Sequence, residues 1–135
     1  MVVYTLQHEV LLLQRADDPD FWQSITGSLD PGEIPAQTAV RELQEETGIC
    51  DVELIDCQYQ AWFSIRPEWR HRYPPGTTRN LEHVFIAELP QRLPITLQPS
   101  EHLSSKWVSP DQALTTLWSE TNRKALEKFA LPRLN

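Results

Sequence analysis

Gly27-Ser-Leu-Asp-Pro-Gly-Glu33, seven further residues, and then Arg41-Glu42-Leu43-Gln44-Glu45-Glu46-Thr47-Gly48-Ile49 make up the stretch on which the reading of this chain turns. From Pro35 to Thr47 the pattern is helical, with Ala36, Val40, Leu43 and Thr47 recurring at the spacing of one helix face. Pro35 suits a first helical turn, where a missing N–H costs little, and Gly48 suits the position just past the end. Asp30-Pro31-Gly32 ahead of the helix reads as a turn, because Pro presets φ and Gly accepts left-handed backbone. Glu42, Glu45 and Glu46 then stand at i, i+3 and i+4 and project from one side, expected to lie opposite the apolar residues. Three adjacent carboxylates raise one another's pKa unless a cation neutralises them. Oxygen-only ligands of this kind select hard cations, Mg²⁺ first and Mn²⁺ after it. Arg41 is expected to hold Glu33 and so fix the preceding loop on the helix. Acidic helix faces are common on solvated surfaces, so the spacing decides. Seven fixed identities, each at roughly one in fifteen, recur by chance at about 10⁻⁸–10⁻⁹ per start position.

Outward from this stretch, Val2–Leu6 and Glu9–Gln14 read as two strands joined by a tight Gln-His turn. Ala16–Asp20 is a polar loop and Phe21–Ile25 a short apolar segment. Val52–Phe63 is rich in β-formers, Pro67–Thr78 is a proline-bearing loop, and His83–Leu89 and Lys106–Val108 read as strands. Ser109-Pro110 opens a short helix, and Asn122–Leu131 is a final one. Helices alternating with strands imply an α/β chain with a mixed sheet and helices on its faces.

The 135 residues are the length of one domain, 1–135, with 40% hydrophobic and 23% charged content. The longest strictly aliphatic run, Val10–Leu13, is far short of the roughly 20 residues of a membrane span. No basic segment followed by an apolar one opens the chain, so the cytoplasm is the expected compartment. Cys50 and Cys57 lack Cys-x-x-Cys spacing and a nearby His, which argues against zinc and against a disulfide framework. A net charge of −7 argues against nucleic acid as a partner. Locally, however, residues 66–79 carry four arginines against Glu68, a net of +3 before His71 is counted. One segment attracts cations and another anions, a pairing that suits a metal-dependent enzyme acting on a small phosphorylated substrate.

Gly27 to Ile49 resembles, without a departure, the Nudix box, Gly-x5-Glu-x7-Arg-Glu-U-x-Glu-Glu-x-Gly-U. The resemblance implies an α/β/α sandwich with a mixed sheet and hydrolysis of a nucleoside diphosphate linked to another group. It also implies that Glu42, Glu45 and Glu46 bind divalent metal with help from the Gly27 carbonyl. Catalysis would then fall to Glu42 or Glu45 as proton acceptor, with Arg41 and Glu33 beside them.

Outside the box, Leu13-Gln-Arg-Ala-Asp-Asp-Pro-Asp-Phe-Trp-Gln-Ser-Ile-Thr-Gly27 and Arg70-His-Arg-Tyr-Pro-Pro-Gly-Thr-Thr-Arg-Asn80 resemble one branch of that family. This branch is the dihydroneopterin triphosphate pyrophosphatases of bacterial folate synthesis, and Glu101-His-Leu and Lys106-Trp107 share the resemblance. It implies substrate contacts from Arg15, Thr26, Phe63, Ser64, Ile65, Arg66 and Ser119, and a distant metal ligand in Glu101. Physically, Arg15 offers phosphate a bidentate donor, and Trp62, Phe63 or Trp69 offers a flat ring a stacking face. His71, His83 and His102 stand alone and read as structural.

Two features depart from the branch. Met1 falls within the first strand, so no basic contact is expected from a preceding segment, and Ala16 stands where relatives often carry a second basic residue. Three other readings compete. They are a Nudix enzyme for nucleoside triphosphates or dinucleoside polyphosphates, a Nudix domain that binds a nucleotide without catalysis, and an RNA-end hydrolase. The last calls for a broader basic surface than one loop supplies.

Overall fold

The computed structural model describes residues 1–26 and 32–134. Gly27 and the Asp30-Pro31 half of the expected turn lie outside the described residues, while Gly32 stands at φ 83°. Strands β1 (Val2–Thr5) and β2 (Glu9–Arg15) form the expected hairpin, with Tyr4 opposite Val10 and Thr5 opposite Glu9. His8 closes its turn at φ 62°, donating its N–H to the Thr5 carbonyl at 3.1 Å. Strand β3 (Trp22–Gln23) pairs with the end of β2, and β6 (His102–Val108) runs along the other edge of β2. On the far side β1 lies parallel to β5 (Arg79–Leu89), which pairs antiparallel with β4 (Leu54–Ser64). Among the described residues the sheet order is β3-β2-β1-β5-β4, with β6 on β2.

Alternation along these strands builds two cores. Val3, Leu11, Leu13, Phe85 and Leu89 face helix α1 (Pro35–Thr47), meeting Ala39, Leu43 and Ile49. Val2, Tyr4, Val10, Leu12, Val84 and Ile86 face the other way, onto Ala113 of α2 (Pro110–Thr116) and Ala125 of α3 (Glu120–Ala125). A π-helical turn, Leu126–Ala130, and α4 (Leu131–Leu134) continue α3 and add Leu126 and Ala130 to that core. With helices on both faces, the central strands are buried twice over, so β1 and Val10–Leu13 read as unbroken apolar runs. The result is an α/β/α sandwich around a mixed sheet. Among the described residues no helix is long and apolar enough to cross a membrane.

Several elements differ from expectation. Strand β5 begins at Arg79 rather than His83, because Arg79–Glu82 pair with Ala61–Ser64 although their side chains are mostly polar. Strand β6 likewise begins at His102, held through Ser104 and Ser105 by pairing with β2. Pro67–Arg72 is a 3-10 turn inside the expected loop.

Helix α1 has its expected bounds, but its inward face is rotated. Ala36 is exposed and Val40 is 54% exposed, whereas Thr38, Ala39, Leu43, Glu46 and Thr47 are buried. At about 100° per residue, Glu46 falls beside Ala39 and Leu43, while Val40 falls more than a quarter-turn away. The glutamates therefore flank the packed face instead of opposing it.

The helix ends at Gly48, whose φ of 76° is left-handed and whose N–H bonds to the Gln44 carbonyl at 2.8 Å. A Cβ at Gly48 would also meet the Cβ of Thr96 at 3.2 Å. Gly48→Ala should therefore lower the unfolding free energy by about 1–2 kcal/mol, the usual cost of left-handed backbone for an L-residue. Urea denaturation measures this, and an unchanged midpoint would refute it.

Candidate active site

Strand β1 starts at Val2, level with Ile86, while β4 and β5 continue as a pair as far as Ser64 and Arg79. That overhang leaves a bay beside the start of β1, and there the chain forms a cleft of about 750 Å³. Arg15, Thr26, Phe63, Ser64, Ile65, Arg66 and Ser119 all line it, as do Glu42, Glu46 and Glu101. Glu33, Arg41 and Glu45 are not among its lining residues.

Helix α1 supplies the acidic wall. Glu46 is 4% exposed, and its Oε2 accepts the Thr26 N–H at 3.2 Å. The loop before β6 brings Glu101 and His102 to the same place, so that one ligand atom from each of Glu46, Glu101 and His102 lies within 4.8 Å of the others. Burial pushes the Glu46 carboxyl up to about 9, with the charges of Glu42 and Glu101 adding to the rise. Glu42 is also raised, chiefly by burial, and Arg41 opposes the rise. Two carboxylates and an imidazole at this separation, with Glu46 and His102 buried and Glu101 exposed, fit a divalent cation, whose ligands sit roughly 2.0–2.6 Å from the metal and so within about 5 Å of one another.

Arg41 organises the outer flank. It holds Glu33 through Nε at 2.7 Å and Nη2 at 2.9 Å, and its Nη1 donates to Glu42 at 2.8 Å and to Glu45 at 3.1 Å. Glu45 is thus directed outward, its side chain 49% exposed. It would have to leave Arg41 to reach a cation bound between Glu46 and Glu101.

The opposite wall is aromatic and basic. The Arg15 guanidinium lies 4.0 Å from the Trp69 ring centre and that of Arg66 4.5 Å, with Phe21 edge-on to Trp69 and Trp118 tilted against Phe21. The arginines of this region are paired rather than free. Asp17 takes two hydrogen bonds from Arg15, both 2.8 Å, and one from Arg72 at 3.2 Å, while Arg66 reaches Asp18 at 2.9 Å. Trp62 is corrected as a stacking candidate. It is 57% exposed, carries Arg79 over its ring at 4.6 Å and does not line the cleft.

Gln23 connects the two walls. Its Oε1 accepts from Arg15 at 3.2 Å, which makes its amide nitrogen the donor toward His102 Nε2 at 2.9 Å. That network assigns the imidazole proton to Nδ1, which has no partner among the described residues. Burial, with Arg15 nearby, lowers the His102 pKa to about 4, so the ring is neutral at pH 7. Sequence reasoning reads His102 as structural and gives no role to Gln23, Asp17, Asp18 or Asn122, whereas the structure sets His102 beside Glu46 and Glu101. The adjacency of His102 to Glu101 was the one available signal, since spacing along the chain says nothing of contacts made across a sheet.

A family model for the NUDIX domain matches residues 1–129. The chain is 47% identical over 126 residues to the dihydroneopterin triphosphate diphosphatase of Escherichia coli, covering 90% of this chain and 83% of that one. It is 41% identical over 134 residues to the Haemophilus influenzae protein of the same name, covering 96% and 84%. The solved structure of the E. coli dihydroneopterin triphosphate pyrophosphohydrolase superposes with a TM-score of 0.91 at 44% identity, covering 97% of this chain and 92% of that one.

The raised Glu46 carboxyl sets a pH dependence. Above the usual carboxylate pKa the unfolded chain gives up this proton, while the folded chain keeps it until about pH 9. The folded state therefore binds more protons across that window, and stability contributed by this group is lost as pH rises. Chelator-treated protein should lose on the order of a few kcal/mol between pH 5 and 9. In Glu46→Gln that slope should flatten, and Mg²⁺ should restore stability to the wild type only. Parallel urea titrations at pH 5, 7 and 9 measure this, and equal slopes in the two proteins would contradict it.

Proposed function

The chain belongs to the Nudix hydrolase family, and from that premise we propose that it cleaves dihydroneopterin triphosphate to dihydroneopterin monophosphate and pyrophosphate. The family acts on small phosphorylated substrates and needs a divalent cation, which we take to be Mg²⁺, with Mn²⁺ as a substitute. The observation that carries the reading is one cleft with a cluster of carboxylates about the buried Glu46 on one wall and arginine-bearing aromatic rings on the other. The names of the E. coli and H. influenzae relatives point to the same substrate.

On this reading Glu42, Glu46 and Glu101 hold the cation, and the carbonyl of Gly27 assists. The cation, when bound, neutralises charge on the phosphates and makes a water acidic enough to attack phosphorus. Glu42, turned into the cleft, accepts the proton that the attacking water loses. Glu45 and Glu33 keep Arg41 in place and thereby fix the flank of α1 that carries Glu42. Arg15 and Arg66 exchange Asp17 and Asp18 for phosphate oxygens, with Thr26, Ser64 and Ser119 as polar neighbours. Phe63, Ile65 and Trp69 give the flat bicyclic ring an apolar face. Nucleic acid is not a substrate on this reading, since the net charge is −7 and two of the four arginines of the 66–79 loop, Arg66 and Arg72, are already matched by carboxylates. The cytoplasm is the compartment that suits this substrate.

Two measurements test the reading. Under saturating Mg²⁺, kcat/KM for dihydroneopterin triphosphate should exceed that for any common deoxynucleoside triphosphate or diadenosine polyphosphate by at least about tenfold, or roughly 1.4 kcal/mol of transition-state binding. Equal use of a nucleotide would move the assignment to a nucleotide pyrophosphatase. Glu101→Gln should raise the Mg²⁺ concentration for half-maximal rate by roughly tenfold or more, the scale of losing one charged ligand, and leave the melting temperature in chelator nearly unchanged. A wild-type metal titration in that variant would remove Glu101 from the cation site.

A further inference from the structure

We propose that Asn122 selects the substrate by donating a hydrogen bond to an acceptor on its heterocyclic ring, an inference that rests on the hydrolase reading above. Asn122 is the third residue of α3, held there by its own N–H, which donates to Ser119 Oγ at 3.4 Å. It is 3% exposed and lines the cleft. Its Oδ1 accepts the N–H of Ser24, just after β3, at 3.1 Å. That bond assigns the amide, because only the oxygen can accept from a backbone N–H. The nitrogen therefore points away from Ser24, and no described residue accepts a hydrogen bond from it.

Asn122 Nδ2 is not among the described buried polar atoms that lack a partner, which are Ser24 Oγ and His102 Nδ1, so its donors are open to the cleft, where an acceptor on a ligand can replace water. Trp118 precedes Asn122 along the chain and lines the same cleft, and Phe21 joins it to Trp69 of the apolar face named above, with ring centres 4.9 Å and 5.3 Å apart. A flat ring lying against these side chains would present its edge to Asn122. The ligand class follows from the donor: a fused heteroaromatic ring with a carbonyl or imine acceptor on its edge, as in a pterin or a purine. A ring with only donors along that edge would leave the amide unpaired, and such sites discriminate strongly.

The competing role is a peg that ties α3 to the segment after β3 through Ser24 and nothing more. Asn122→Asp separates the two. It keeps an oxygen for the Ser24 N–H in the same shape and replaces the donors with an acceptor, while Asn122→Ala removes the donors without adding charge. The measurements are kcat/KM for dihydroneopterin triphosphate, the inhibition constant of inorganic tripolyphosphate as a ringless competitor, and the melting temperature. In Asn122→Asp, kcat/KM should fall at least about tenfold further than affinity for tripolyphosphate does, with most of the loss in KM. Asn122→Ala should show the same selective loss. Should the alanine variant fail to fold, the aspartate variant decides. Equal weakening of both ligands, or no change in either, in a variant that melts like wild type would overturn the proposal. The substrate assignment fails separately, on the wild type alone. A wild type that prefers a nucleoside triphosphate ends the pterin reading, and the same ratio then tests Asn122 against that nucleotide's ring.

Discussion

Glu46 occupies a place on α1 that packing alone would give to an aliphatic residue. It lies about 20° from the direction of Ala39, on the side away from Leu43, at the margin of the helix face turned to the sheet, and is almost wholly removed from water. A carboxylate there is costly by itself, because burial and the charges of Glu42 and Glu101 all oppose its ionisation. The fold compensates only in part, with one hydrogen bond from the Thr26 backbone. A divalent cation held here, as proposed, would remove the remaining penalty by turning mutual repulsion into shared coordination. The helix that packs the core thus also presents Glu42 and Glu46 to the cleft, and a rigid scaffold holds them in register.

The opposite wall solves the reverse problem. Arg15 and Arg66 crowd against one indole, and like charges so close are tolerable because Asp17 and Asp18 sit beside them. Aspartates 17 and 18 also join the strand that carries Arg15 to the turn that carries Arg66 and Arg72, tying two distant parts of the chain together. Each carboxylate occupies a guanidinium edge that a phosphate could use, so on the proposed function substrate binding would exchange one anion for another. Gln23 links this wall to His102 and so to the acidic wall, and the relative placement of the two is set by strand pairing rather than by loop conformation.

Much of this was legible along the chain. Pro35 and Gly48 mark the ends of α1 because their backbone chemistry is local, and the β1–β2 hairpin follows from two apolar runs about a short turn. The box glutamates stand out through spacing alone. Where the reading went astray, it counted apolar residues to find the buried face. Val40 was assigned inward and Glu46 outward, and the structure reverses both. The beginnings of β5 and β6 escaped notice for a related reason. Polar residues there are held by their neighbours' hydrogen bonds, to which hydrophobic periodicity is blind.

The sequence by itself determined most of the elements, the acidic residues of α1 and the basic loop, since each depends on interactions within a few residues. Only the tertiary structure decided that Glu101 and His102 stand beside Glu46, that Asp17 and Asp18 already occupy the arginines, and that Asn122 turns an amide into the cleft. Glu46 and Glu101 are 55 residues apart in the chain, and no local pattern encodes such a distance. They meet because β6 pairs with β2 in one register, which fixes where the loop before β6 must lie. Strand register is a property of the whole sheet, and the site inherits its geometry from it.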